Sequence, residues 1–140
     1  RVRIMANNLK LSNEAVNAEA DAFSVLLDNG YLRIYDGTQP ATANTAIGSQ
    51  VLLAELRFNA DAAPVAVNGV LTFNAITQDS SANNTGTASW GRALKSDGTT
   101  VIFDGAVGTS GSDINLTGTV SIVAGAIVGV TSASFTVNKG

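Results

Sequence analysis

The side chains of this sequence that could do chemistry are carboxylates, because the chain contains no histidine and no cysteine. Histidine is the commonest general base and metal ligand, and cysteine is the source of every thiolate site. The sequence also lacks the motifs of serine hydrolases, phosphate-binding loops and zinc proteases. A pair of carboxylates can still hydrolyse a glycosidic bond. Six aspartates lie at predicted turns or strand ends: Asp36, Asp61, Asp79, Asp97, Asp104 and Asp113.

An aspartate in a turn usually accepts hydrogen bonds from the backbone of that turn. This structural role is favoured over catalysis for each of the six. Calcium would need about 6–8 oxygen ligands close together, and no D-x-D-x-D-G run occurs. Asp104 and Asp113 flank a glycine-rich segment and could converge, which the sequence does not decide. We therefore expect no catalytic residue, no metal and no cofactor, and a carboxylate-dependent glycan hydrolase is the least favoured function.

The charge pattern narrows the possible partners. Charged residues make up 14% of the 140 residues, the net charge is −3, and the eight cations are scattered along the chain. A nucleic-acid-binding protein normally has clustered cations, so we expect no nucleic-acid partner. The longest apolar tract, from Val120 to Val130, contains two glycines and is shorter than the ~20 residues of a membrane span. We expect no membrane partner either.

Periodicity indicates the elements that carry these residues. Alternating residues on both sides of Asp97-Gly98 predict a β-hairpin over residues 85–107, which contains the only tryptophan, Trp90. Helical spacing predicts one amphipathic helix over about 13–27. Its acidic residues are interpreted as a solvated face. The remaining pattern of short strands and turns predicts a mainly β fold. We expect a β-sandwich or jelly-roll-like antiparallel domain of seven or eight strands with one N-terminal α-helix, covering residues 13–140 after an extended arm at 1–12.

Two groups of residues are candidates for an interface. In the strand Tyr31 to Asp36, Leu32 and Ile34 form the core-facing side, and the opposite side carries Tyr31, Arg33 and Tyr35. Tyrosine and arginine are enriched in interface hot spots, although a half-exposed strand face with ordinary contacts explains the same pattern. The arm has apolar residues in short alternating runs, which suit a strand added to a neighbour's sheet edge. These residues are Val2, Ile4, Leu9 and Leu11.

Two segments carry a resemblance to a known family. They are Gly30 to Pro40, GYLRIYDGTQP, and Asp104-Gly105 through Asp113-Ile114-Asn115-Leu116. From about Leu9 to its C-terminus the chain resembles small virion structural proteins of tailed bacteriophages. The resemblance implies a capsid decoration, or cement, protein on the outer surface of the capsid. Its partners would be the major capsid protein, at joints between subunits, and other copies of itself in a dimer or trimer. Residues 1–4 precede the start expected at Met5.

The alternative function is that of a tail or adsorption protein with a carbohydrate-binding surface. Trp90, Tyr31 and Tyr35 would supply the stacking rings. Against this, Trp90 alternates with Ala88 and Leu94, which predicts a largely buried indole.

Overall fold

The computed structural model describes residues 8–140, so Val2 and Ile4 of the predicted arm lie outside the described residues. The described chain is mainly β, with one helix and nine strands. Nine strands are two more than the lower predicted number of seven. Alternating residues at 113–123 predict one strand there, but two short strands form, and Gly86–Thr87 is separate from Trp90–Leu94 in the first half of the predicted hairpin. The elements are α1 (Asn13–Val25), β1 (Tyr31–Tyr35), β2 (Leu52–Arg57), β3 (Val70–Thr72), β4 (Gly86–Thr87), β5 (Trp90–Leu94), β6 (Val101–Gly108), β7 (Ile114–Leu116), β8 (Ser121–Ile122) and β9 (Val130–Thr136).

Seven strands form one curled sheet in the order β2-β1-β5-β6-β7-β9-β3, and β4 pairs with β8 in a second, small sheet. Neighbouring strands are antiparallel except β6 and β7, which are parallel. This architecture fits the predicted sandwich or jelly-roll-like fold with a single helix. No helix in residues 8–140 has the length and apolar character needed to cross a membrane.

The predicted hairpin is confirmed as β5 and β6. Gly98 has φ +72°, a conformation that costs a side chain energy, and it lies in the turn between the two strands. The Asp97 carboxylate accepts hydrogen bonds from the backbone N–H groups of Thr99 and Thr100, each at 2.8 Å. Trp90 is 1% exposed, which confirms its predicted burial.

The helix is also confirmed, although it ends at Val25, two residues earlier than expected. Ser12 is its N-cap, and its Oγ accepts a hydrogen bond from Ala15 N at 3.1 Å. Glu14 and Glu19 are exposed, as predicted. The prediction of a solvated side chain is wrong for Asp21. This residue is only partly exposed, and its Oδ1 accepts a hydrogen bond from Ala66 N at 2.7 Å.

Strand β2 does not keep the strict alternation that its sequence predicts. Its pairing with β1 slips by one residue at Tyr35, where Ile34 faces Ala54 but Tyr35 faces Leu52. This β-bulge turns Leu53 and Ala54 into the core together, and both are 0% exposed. From the sequence, Leu52 and Ala54 would share one face of the strand. The register places them beside Tyr35 and Ile34, which lie on opposite faces of β1, so this assignment is wrong at the bulge.

The segment from Gly105 to Ser112, predicted as a flexible connection, is strand as far as Gly108. Only residues 109–113 connect β6 to β7. The two strands then run parallel, with Val107 beside Ile114 and Gly108 beside Asn115. Parallel neighbours normally need a crossover of about a dozen residues, so the sequence pattern did not indicate this pairing.

Candidate functional site: an arginine-aromatic face

One face of the sheet collects the side chains best suited to recognition. Strand register aligns Glu55, Arg33, Arg92 and Asp104 in a row across β2, β1, β5 and β6. Aromatic residues flank this row, since Tyr31 lies opposite Arg57 and Tyr35 lies opposite Trp90. The face holds both tyrosines, the tryptophan and every arginine of residues 8–140. We call it the arginine-aromatic face: Tyr31, Arg33, Tyr35, Glu55, Arg57, Trp90, Arg92 and Asp104.

The half of this face on β5 and β6 is buried. The Tyr35 and Trp90 rings stack with their centroids 4.8 Å apart, and Trp90 Nε1 donates to the Asp36 carbonyl at 3.0 Å. Arg92 donates to both carboxylate oxygens of Asp104, from Nε at 2.7 Å and from Nη2 at 2.9 Å. Their side chains are only 5% and 3% exposed. These hydrogen bonds raise the pKa of the Arg92 guanidinium against the opposing effect of burial. This half supports the sheet and is not available to a partner.

The half of the face on β1 and β2 is accessible. The Arg57 guanidinium lies 4.2 Å from the centroid of the Tyr31 ring and donates to the Asn29 carbonyl at 3.0 Å. Arg33 donates to Glu55 at 2.7 Å, with side-chain exposures of 27% and 36%. The spacing of Glu55 and Arg57, two apart on one strand face, predicts a cross-strand or surface ion pair. The two do not pair with each other, because Glu55 faces Arg33 of β1 and Arg57 faces Tyr31. This half presents a cation, a ring and a surface ion pair to solvent.

The predicted interface residues therefore differ in their exposure to solvent. Tyr31 and Arg33 are half-buried and remain accessible, whereas Tyr35 is 6% exposed and cannot contact a partner directly. Burial raises the pKa of the Tyr35 phenol, with Arg33 opposing the shift. Leu9 is 47% exposed. Leu11, by contrast, is tied to the domain, because its N–H donates to the Lys139 carbonyl at 2.7 Å.

A second accessible surface was missed from the sequence. Val25 at the end of α1 meets Pro64 and Val65 around an open cavity of about 420 Å³, which Asp21 and Asp61 also line. The exposed fractions of Val25, Val65 and Val67 are 65%, 77% and 67%. We call this surface the valine patch: Val25, Pro64, Val65, Val67 and Val70. Exposed apolar clusters of this kind are typical of protein interfaces. The feature of the sequence that could have indicated this patch is Val25, an apolar residue that lies outside the apolar stripe of the helix.

Five of the six aspartates considered for catalysis, all except Asp61, have carboxylates that accept hydrogen bonds from other residues of 8–140. Asp36 accepts from Val51 N at 2.6 Å, and Asp79 accepts from Glu55 N at 2.8 Å. Asp113 accepts from Ala106 N at 2.9 Å, and Asp104 is held by Arg92. Across residues 8–140, no group of three or more acidic, histidine or cysteine side chains is arranged to hold a metal ion. The contacts of Asp36, Asp79 and Asp113 fit their interpretation as turn and strand-end residues. That interpretation is wrong for Asp104, which lies within β6 and forms a buried ion pair.

Comparison of the chain with protein-family models, with curated proteins and with solved structures gives no match. Function must therefore be inferred from the surfaces of the chain itself.

Proposed function

We propose that this chain is a non-enzymatic structural protein of a tailed-bacteriophage virion, and specifically a capsid decoration protein. It would bind at joints between major capsid subunits on the outside of the head and stabilise the shell. The observation that carries the proposal is that two surfaces of interface-type composition lie on different elements of one β body. One is the accessible half of the arginine-aromatic face on β1 and β2. The other is the valine patch on α1 and residues 64–70.

A protein that bridges joints needs at least two contact surfaces. In the proposed arrangement, the arginine-aromatic face contacts the major capsid protein through Tyr31 and Arg57. Arginine and tyrosine are the residues that most often dominate such contacts. The valine patch contacts another copy in a closed dimer or trimer, where an apolar surface can be buried. Many copies in a symmetric array then act together, so each contact can be weak while the shell gains stability.

Binding of purified protein to expanded capsids that lack it tests the proposal. Arg57→Ala and Tyr31→Ala should each weaken capsid binding about tenfold or more, as expected for interface hot spots. Lys139→Ala is the matched control, since Lys139 is an exposed cation on another part of the chain. Electron cryomicroscopy of the intact particle should show the protein at capsomer joints. Absence of binding to capsids, or density on the tail alone, would contradict the proposal.

Density on the tail would favour the alternative, a tail or adsorption protein with a glycan ligand. Of the three rings considered for stacking, Trp90 and Tyr35 are buried and only Tyr31 is accessible. A glycan array would then be the next experiment, and loss of glycan binding in Tyr31→Ala would support that function.

A further inference from the structure

The curled sheet has a gap where one strand is too short. Strand β7 begins at Ile114, which lies beside Val107 of β6 and opposite Ala133 of β9. Both neighbours continue past this point, β6 back to Val101 and β9 on to Thr136. Among residues 8–140, no strand lies between these two extensions, since residues 109–113 form the connection into β7. We call the space between 101–105 and 134–136 the slot.

An open cavity of about 240 Å³ lies in the slot. It is lined by Phe103, Asp104 and Gly105 of β6, by Ser134 and Phe135 of β9, and by Asp113 at its end. Two strand spacings make about 9.5 Å, which leaves room for one extended chain between β6 and β9. The cavity is open, so a strand that enters the slot can continue toward solvent.

The backbone of both walls points into the slot. On β6, the N–H of Val107 donates to the carbonyl of Ser89, which precedes β5. In an antiparallel pair every second residue faces its partner strand, so the N–H and C=O of Asp104 point away from β5 and into the slot. On β9, the N–H of Val137 donates to the carbonyl of Gly69, which precedes β3. The same alternation of hydrogen-bonded residues directs the N–H and C=O of Ser134 away from β3 and into the slot. These groups have the orientation that main-chain pairing with an added strand requires.

The side chains of the slot define the sequence that fits it. Phe103 and Phe135 both pack on Phe23 of α1, with ring centroids 5.9 Å and 4.1 Å away. The opposite side carries Asp104 and Ser134, and none of the lining residues is cationic. Asp104 is paired with Arg92, so the acidic side chain left for a partner is Asp113, at the end of the slot beside Gly105. A strand with apolar residues facing the two phenylalanines, polar or basic residues on the other side and a basic residue within reach of Asp113 would fit the slot.

We propose that residues Arg1–Ile4 of one copy add as a strand in the slot of a second copy. This segment reads Arg-Val-Arg-Ile and has the required alternation of basic and apolar side chains. The direction of residues 9–11 indicates that the slot is filled by a second copy and not by the N-terminal segment of the same chain. Leu11 pairs with Lys139 and Leu9 lies against Gly140, so the arm leads away from Thr136 as residue numbers fall. The proposal concerns the purified chain and does not depend on capsid binding.

Disulfide trapping tests this contact cleanly, because the natural chain has no cysteine. Full-length Arg3→Cys and isotope-labelled Ser134→Cys, whose side chains lie on the same side of the proposed pairing, are mixed and oxidised, and mass spectrometry identifies the products. We expect a mixed disulfide dimer at least about fivefold above the yield with Val123→Cys in place of Ser134→Cys. Val123 is 59% exposed, on a different part of the surface. Equal yields with the two partners would overturn the proposal. A doubly substituted chain that cross-links only within itself at every concentration would also overturn it.

Sedimentation velocity supplies the second measurement. The full-length chains compared all carry Val65→Asp, so that the valine patch does not contribute to their self-association. Val2→Asp combined with Ile4→Asp should weaken self-association about tenfold or more, because two apolar side chains lose their burial. Val123→Asp should leave self-association unchanged. An arm variant that associates like the chain with the natural arm, or a chain with the natural arm that stays monomeric at the highest soluble concentration, would overturn the proposal. Trapping of Ser134→Cys only by a capsid subunit in particles would also overturn it, since the occupant would then be another protein.

Discussion

The buried ion pair between Arg92 and Asp104 provides a quantitative test of the fold around the arginine-aromatic face. The change is Asp104→Asn, which keeps the size of the side chain but removes its charge. Arg92 then keeps a guanidinium that is 5% exposed and has no opposing charge, and the amide oxygen can accept only one of the two hydrogen bonds, which are 2.7 and 2.9 Å long in the natural pair. Removal of one partner of a buried pair costs about 3–5 kcal/mol, because the remaining charge is neither solvated nor paired.

Glu55→Gln is the matched control for this prediction. It makes the same chemical change in the pair with Arg33, which has the same 2.7 Å distance but side chains that are 27% and 36% exposed. Water screens this pair, so its loss should cost about 0.2–1 kcal/mol. The difference between the two variants therefore measures the effect of burial together with that of the second hydrogen bond, which only Arg92 and Asp104 form.

Urea unfolding, followed by the fluorescence of Trp90, measures both free energies of unfolding. With a slope of about 2 kcal/mol per M, Asp104→Asn should lower the unfolding midpoint by about 2 M, and Glu55→Gln by less than about 0.5 M. The double variant Arg92→Met, Asp104→Leu should recover much of the loss, because apolar residues of similar size need no partner. Equal losses in Asp104→Asn and Glu55→Gln would refute the argument that burial sets the value of the pair.

Three further predictions address other parts of the fold. The Thr100 hydroxyl, with the N–H groups of Thr100 and Thr99, lowers the pKa of the Asp97 carboxyl far below its usual range. Asp97 therefore stabilises the fold fully above its unfolded pKa of about 3.9, and this stabilisation is lost as the pH falls toward the folded pKa. The free energy of unfolding in urea should change less between pH 7 and pH 2.5 in Asp97→Asn than in the natural chain. An unchanged pH dependence would contradict this prediction. Burial raises the pKa of the Tyr35 phenol, so stability should decline above about pH 10 in the natural chain and less in Tyr35→Phe, as followed by circular dichroism. Gly69 has φ +78°, and an added Cβ would lie 2.7 Å from the Val137 carbonyl, whereas Gly111 has φ +68° and open space around it. In thermal unfolding, Gly69→Ala should lower the stability by at least about 2 kcal/mol and Gly111→Ala by about 1–2 kcal/mol. Equal losses would show that the close contact at Gly69 adds nothing.

Local patterns were sufficient for much of the fold. Strict alternation around Asp97-Gly98 identified the hairpin, and helical spacing after the Ser12 cap identified the helix. The position of Trp90 within an alternating strand also predicted its burial. Each of these features depends on residues close together in the sequence, so the chemistry of the turn, cap or strand is present in the segment itself.

The candidate surfaces were only partly predictable. The sequence placed Tyr31 and Arg33 on one side of a strand, but it did not show that Trp90 would cover Tyr35 or that Arg57 would lie over Tyr31. Those contacts depend on which strands become neighbours and in which register. The valine patch likewise requires the end of α1 and residues 64–67, about forty residues apart, to meet.

The sequence by itself determined the mainly β class, the single helix, the hairpin and the structural use of aspartate at turns, because these follow from periodicity and local hydrogen bonding. Tertiary structure alone decided the bulge at Leu53, the parallel pairing of β6 and β7, and the slot beside β7. A shift of one residue in register moves a side chain to the other face of a sheet. Such shifts are set by the packing of distant strands, and no single segment contains that information.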